Sequence, residues 1–463
     1  MARISLRSRA WHGDTDVELA VPDAWSVDVL PPADAPELGE EELVRALREP
    51  TAGPPLEEAA RGKGTALIVV DDLGRPTPAH RIVPHLLRTL AEAGVPEGGI
   101  SFLVATGSHR PLTDEEKERK LGAEVCRRYP VHCHDAFGPD LRELGRLPSG
   151  MPVIVNGRVV DAGLVIGVSC VLPHTMTGFS GGCKILLPGC AGILSIAELH
   201  SFEAKRPRGG TEPATRGPDA REVIEAFAGR AGLDFSVNVV VNSRRQIAAA
   251  SAGEPAAAHA AAVERARRIY RTGIPEELRR EADLVIANAY PLDADPVQVS
   301  KSQWPRRVFP KARLVLHDAA CDGIAYHGWS EFQKASVLNM LCGAISQART
   351  DGCCPGLVGA LLGLAPLRDL GHRRLRREAQ RTDVSYRAYE EVRGTIRRNT
   401  AAKRVMARRG PLVLCSEGFP EWKRRIQFPK AGLYRSWDAL AADLPADNLR
   451  VAVLPCAPLQ IPG

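Results

Sequence analysis

Short apolar runs alternate along this chain with segments whose apolar residues recur at helical spacing. That pattern predicts an α/β fold with largely parallel sheets flanked by helices. Residues 65–70 (TALIVV), 100–105 (ISFLVA), 164–170 and 237–241 read as buried strands. Residues 79–94 place Ile82, Leu86, Leu87 and Leu90 on one helical face, and 191–206 and 257–272 also read as helices. Thr113 and Glu116 form a capping box that opens another, because each side chain can satisfy the other's orphan amide. A second run of the same kind follows, with strands at 283–289 and 312–317, a helix start at 296–304 and a helix at 329–348.

Gly273-Ile274-Pro275 interrupts the pattern. The expectation is therefore two lobes, residues 1–275 and 276–463, each built on a mainly parallel sheet, with a site in the cleft between them. Residues 31–53, rich in proline and acids, read as a surface connection, and 205–218 as an exposed loop. Residues 372–409 carry arginines at helical spacing, which suits a solvated helix pair more than an anion- or nucleic-acid-binding face.

Composition narrows the function. Over 463 residues, 44% hydrophobic and 25% charged is ordinary for a globular protein. A net charge of +6 is mild at this length and gives no argument for nucleic acid, but it leaves room for a small anionic substrate. No run suits a signal peptide or a membrane span. The eleven cysteines form no CxxC pair, so they read as free thiols in a reducing compartment. The expected location is the cytoplasm, with neither membrane nor nucleic acid as partner.

In open α/β sheets ligands bind beyond the carboxyl ends of the strands. Polar groups follow four strands here: Asp71, Asp72 and Arg75; Thr106, Ser108, His109 and Arg110; His174; and Tyr290, Asp293 and Asp295. The densest stretch is PHTMTGFSGGCKILLPG at 173–189. Gly178, Gly181 and Gly182 let the backbone approach a ligand, Ser180 adds a donor, and successive amides there can form an anion nest. The stretch is neither a Walker A loop nor a GxGxxG fingerprint. Lys184 follows it in an apolar setting, where it can serve as a nucleophile, as a phosphate counter-ion or as an ordinary surface lysine. His109, His174 and His200 each read alone as structural. As a pair facing one pocket, His109 and His174 suit two opposed general bases, which an inversion of configuration needs. Arg75 can fork onto a carboxylate or make an interface ion pair.

These pieces resemble the lactate racemase family, whose members use a nickel-pincer nucleotide. The resemblance rests on DDLGRPTP at 71–78, TGSHR at 106–110, GFSGGCKILLPG at 178–189, the helix ending in His200, and YPLDADPVQVSK at 290–301. It implies a 2-hydroxy-acid racemase or epimerase that removes and returns a hydride. The implied cofactor is Ni(II)-pyridinium-3,5-bisthiocarboxylate mononucleotide, joined to Lys184, with His200 as the protein's nickel ligand. His109 and His174 would be the acid/base pair. Asp72, Arg75, Ser180, Gly181 and Gly182 would touch the cofactor, while Arg75, Gln298 and Lys301 would hold substrate. Cofactor-maturation proteins are implied partners.

Three positions depart from the family pattern. Cys183 replaces a basic residue and can be redox-sensitive; Leu73-Gly74 and Val297 are expected to enlarge or depolarise the pocket. They leave lactate, malate, an aryl lactate or a sugar acid open as substrate. The competing readings are a Schiff-base lysine lyase or nucleotide-dependent oxidoreductase on the same scaffold, and a non-catalytic hydroxy-acid-binding homologue.

Overall fold

A computed structural model describes residues 2–174, 177–204, 220–296, 298–322, 412–419, 428 and 431–463. The segments read as an exposed loop at 205–218 and as helices at 329–348 and 372–409 lie outside the described residues, as does Val297.

Two six-stranded sheets organise the chain. The first runs, edge to edge, Ile247–Gly253, Phe235–Val241, Val165–Cys170, Ala66–Asp71, Ile100–Ala105 and Val131–Cys133. Only its Ile247–Gly253 edge is antiparallel. The second runs Gly432–Tyr434, Leu412–Cys415, Arg313–His317, Leu284–Asn288, Arg450–Leu454 and Ser26–Val29, all parallel. Every residue of Ala66–Asp71, Val165–Cys170 and Leu284–Asn288 is buried. That explains why these strands read as unbroken apolar runs, since helices and loops cover both faces of a parallel sheet.

Topology decides where a ligand can sit. From Ala66–Asp71 the chain moves outward to Ile100–Ala105 and Val131–Cys133, then returns to Val165–Cys170 on the other side. The strand order therefore reverses between Ala66–Asp71 and Val165–Cys170, and the crevice beyond their carboxyl ends is the natural ligand position. Asp72 follows one of these strands and His174 the other.

One local expectation holds and several elements differ. The capping box at Thr113 is present, with Thr113 N donating to Glu116 Oε2 at 2.8 Å and Glu116 N to Thr113 Oγ1 at 3.3 Å. The supposed connection at 31–53 contains the helix Glu40–Arg48, which buries Leu43 and Leu47 in the first lobe's core. Its five charged residues had masked a two-residue apolar face. The expected helix start at 296–304 is a 3-10 turn, Gln298–Gln303, followed by the short helix Pro305–Val308.

The first thirty residues also cross over. The hairpin Ala2–Ser8/Thr15–Val21 packs Ile4, Leu6, Leu19 and Val21 against Leu284, Ile286 and Val451, and Ser26–Val29 extends the second sheet. The lobe expected at 1–275 therefore does not hold its own amino-terminal strands. No helix among the described residues is long and apolar enough to cross a membrane.

Candidate active site

The loop after Ala66–Asp71 is built around one buried ion pair. The Asp71 carboxylate accepts from Thr77 Oγ1 at 2.6 Å and from Lys120 Nζ at 2.5 Å. Lys120 is fully buried and also donates to the carbonyls of Asp72 (3.1 Å) and Arg75 (3.4 Å). A buried ammonium is tolerated only when its donors are satisfied, and here they fix three points of residues 71–75. Nothing in the sequence marked Lys120, because it lies on the strongly charged helix Asp114–Leu121.

That frame presents Asp72. Its Oδ1 accepts from Gly74 N at 2.9 Å, and its Oδ2 lies 2.5 Å from His109 Nδ1. The Asp72 carboxylate can only accept, so it places a proton on His109 Nδ1. The turn bearing His109 is fixed by His109 N to Thr106 O (2.8 Å) and Gly107 N to Gly189 O (2.8 Å).

His174 is set the opposite way. Its Nδ1 receives Thr177 N at 3.3 Å and lies 3.1 Å from Thr177 Oγ1, whose own proton goes to Phe179 O. An Nδ1 that accepts assigns the proton of the neutral ring to Nε2. Burial first, then the charges of Lys184, Lys301, Arg75 and Arg221, hold the His174 pKa well below its ordinary value. Thr177 lies within the stretch singled out at 173–189 but was not itself picked out, and Arg221 was missed because it stands in no recognisable pattern.

Lys184 lies on the single turn Gly182–Ile185, partly buried, with Ile185, Leu186 and Leu187 anchored in the core. The second lobe brings Lys301 to the same place. Its ammonium is disfavoured by burial and then by Arg75 and Lys184, against the opposing pull of Asp295 and Asp72. Gln298 and Asp295 are buried beside it in sequence. The structure therefore brings Asp72, Arg75, His174, Lys184 and Lys301 into one electrostatic neighbourhood, with His109 joined through Asp72. His200 falls on the helix Ile193–Ala204, but its side chain lies outside the described residues.

Four expectations need correction. Ser180 is no free donor: its hydroxyl donates to Cys170 O and accepts from Leu172 N, both at 2.9 Å. The proposed anion nest is largely committed inside the protein. Ser180 N goes to Leu172 O, Gly182 N to Asn238 Oδ1 at 2.7 Å, and Lys184 N to Gly181 O. Cys183 is buried, with its thiol pushed up to about 12 by burial, so it is inert rather than redox-sensitive. Leu73 points into the first lobe's core and does not shape a pocket.

The glycines of this stretch serve packing instead. Gly182 has φ +59°, and a Cβ there would lie 2.8 Å from three atoms of His259. Gly182→Ala is expected to cost roughly 2–5 kcal/mol, from left-handed strain plus overpacking. A lowered urea midpoint would show it; an unchanged midpoint would mean that the His259 ring yields.

Two mainly parallel sheets flanked by helices, with Arg75, His174, Lys184 and Lys301 brought near one another from both halves of the chain, define a two-sheet α/β protein. The model of the lactate racemase N-terminal domain matches residues 12–211. Lactate racemase of Lactiplantibacillus plantarum is 34% identical over 302 residues, 64% of this chain and 69% of that protein. Lactate racemase of Thermoanaerobacterium thermosaccharolyticum is 34% identical over 306 residues, 65% of this chain and 70% of that protein. The lactate racemase apoprotein structure from the latter organism shares the fold, with TM-score 0.66, 21% identity and full coverage of both chains. A structure from Thermotoga maritima does so at TM-score 0.60 and 18% identity, covering 93% of this chain and all of that one. The chain belongs to the lactate racemase family.

Proposed function

We propose that this chain inverts C2 of a 2-hydroxy acid, using a nickel-pincer nucleotide carried on Lys184. The observation that carries the reading is the opposite hydrogen bonding of two rings, His109 Nδ1 against the Asp72 carboxylate and His174 Nδ1 against Thr177 N. Inversion takes the hydroxyl proton on one side and returns it from the other, so it needs one base and one acid at the outset. In this reading the neutral His109 ring, its Nδ1 proton held by Asp72, would act as base, and His174, whose Nδ1 accepts from Thr177 N, would act as acid. Each turnover exchanges their states and readies the site for the reverse direction.

The chain's residues fit the cofactor. Lys184 supplies an amine for the covalent link, and Arg75, Lys301 and Arg221 supply the positive field that a nucleotide phosphate and a substrate carboxylate need. His200 would give nickel an imidazole, a ligand that suits it. When bound, the group would take up and return the C2 hydrogen as hydride, chemistry that no side chain provides. Arg75 would fork onto the substrate carboxylate, with Gln298 and Lys301 closing from the second lobe. Because burial disfavours the Lys301 ammonium, an incoming anion would stabilise its charged form.

Co-production with the cofactor-synthesis machinery tests the reading. The expected result is about one nickel per chain, an added mass that Lys184→Ala abolishes, and racemisation seen by chiral chromatography. Lactate, malate, aryl lactates and sugar acids form the substrate panel. Unmodified, nickel-free protein from that host would overturn the proposal.

A further inference from the structure

Between the two strands of the amino-terminal hairpin, residues 9–14 make a turn with three non-glycine residues at positive φ: Arg9 (+61°), Trp11 (+68°) and Asp14 (+47°). Such conformations persist only where the surroundings over-determine them. The surroundings here come from both lobes. Asp293, after the second lobe's central strand, accepts from Ser8 Oγ (3.0 Å), Arg9 N (2.6 Å) and Ala10 N (3.1 Å). Asp14 takes Tyr290 OH of the second lobe at 2.8 Å and Arg245 of the first at 3.0 and 2.5 Å. The hairpin's strands belong to the second lobe's core, yet Ala10 and Trp11 belong to the first lobe's.

Trp11 is therefore a wedge that the second lobe drives into the first. Its ring is covered by Arg245, with Cζ 4.1 Å from the centroid, and by Lys120, with Nζ 5.2 Å away. Lys120 is the ammonium that holds Asp71 and the carbonyls of Asp72 and Arg75. An ammonium out of water is drawn to the face of an indole, so the ring adds to the hold that Asp71 has on Lys120.

We propose that Trp11 is a positioning residue for the reaction. Seated on Lys120, it makes the aim of Asp72 and Arg75 depend on the second lobe being docked, the same docking that brings Lys301 over the cleft. The loop is then held in its working shape only when both halves of the site are together. This inference rests on the functional reading above for its catalytic consequence, but not for the mechanical link itself.

Two measurements on Trp11→Leu and Trp11→Phe separate the two. In the unloaded chain, hydrogen exchange at residues 73–75 is expected to quicken at least 10-fold in Trp11→Leu. Exchange along Val165–Cys170 should stay as in the parent, and Trp11→Phe, which keeps an aromatic face, should lie near the parent. In the loaded enzyme, kcat is expected to fall at least 10-fold in Trp11→Leu with nickel content and the Lys184 adduct unchanged, and to be largely restored in Trp11→Phe. Should Trp11→Leu fail to fold, Trp11→Phe is compared with Trp11→Met, which also folds a large apolar side chain into the site but lacks the π face. Unchanged exchange at 73–75, or equal behaviour of the aromatic and aliphatic variants, overturns the proposal. A parent chain without turnover would overturn the functional reading, and the exchange result would still decide this one.

Discussion

In the loaded enzyme, His109→Ala and His174→Ala should each lower kcat by about 10²–10⁴-fold, the usual contribution of one positioned proton transfer. Both directions should suffer alike, because each turnover uses one ring as base and the other as acid. The rings also differ in how they can be disabled without being removed. Asp72→Asn keeps the shape of the Asp72 side chain but turns its amide donor toward His109 Nδ1, 2.5 Å away in the parent. The proton would move to Nε2, and the base would become a second acid. A loss as large as that of His109→Ala is expected, with the Lys184 adduct and nickel content unchanged. Racemisation rates from both enantiomers, alongside circular dichroism to confirm folding, check this. An alanine variant that keeps more than a tenth of parental turnover in both directions would remove that histidine from the proposed role.

The parts of this site that were legible in the sequence are those that directly follow buried strands. Asp72, His109 and His174 stand at the ends of apolar runs such as TALIVV and ISFLVA, and the strand rule alone points to them. The parts that were not legible act through backbone atoms or across long separations. Lys120 looks like one more charge on a charged helix; its meaning comes from Asp71, 49 positions earlier. Trp11 sits in a hairpin turn whose importance depends on residues more than 230 positions away. The glycine-rich stretch was misread in the other direction. Its composition suggests an anion nest, but the amides of Ser180 and Gly182 are taken by Leu172 O and Asn238 Oδ1, acceptors that only the folded chain brings near. Period and composition report what an element buries, and they are silent on which partner a polar group finds.

Acid should unfold this protein earlier than its ion pairs would suggest, because several histidines are folded in as neutral rings. His134 donates from Nε2 to Ala191 O at 3.0 Å and accepts from Asn156 at Nδ1, and burial takes its pKa down to about 4. His317, against Asn288, is likewise taken to about 4, and His259, which donates to Ser180 O at 2.9 Å, to about 3. In the unfolded chain each would take a proton near pH 6.5. The sign follows: this stability is fully present above pH 6.5 and is lost as pH falls from there toward 4 and 3, since the unfolded state binds the protons first. At pH 5 each ring would cost about 2 kcal/mol. Asp318 and Asp293, pushed above the usual carboxylate value chiefly by burial, run the other way and offset part of the loss. The net expectation is a fall of roughly 3–6 kcal/mol between pH 7 and pH 5, a large share of the 5–15 kcal/mol that folded domains typically hold (about that range). Urea midpoints at pH 7, 6 and 5 measure it. Replacing His134 by Gln removes one titrating group and should flatten the slope by about one proton. A midpoint that does not move between pH 7 and pH 5 would mean that the buried rings are already protonated or are reached by water, and the neutral-ring account of the core would fail.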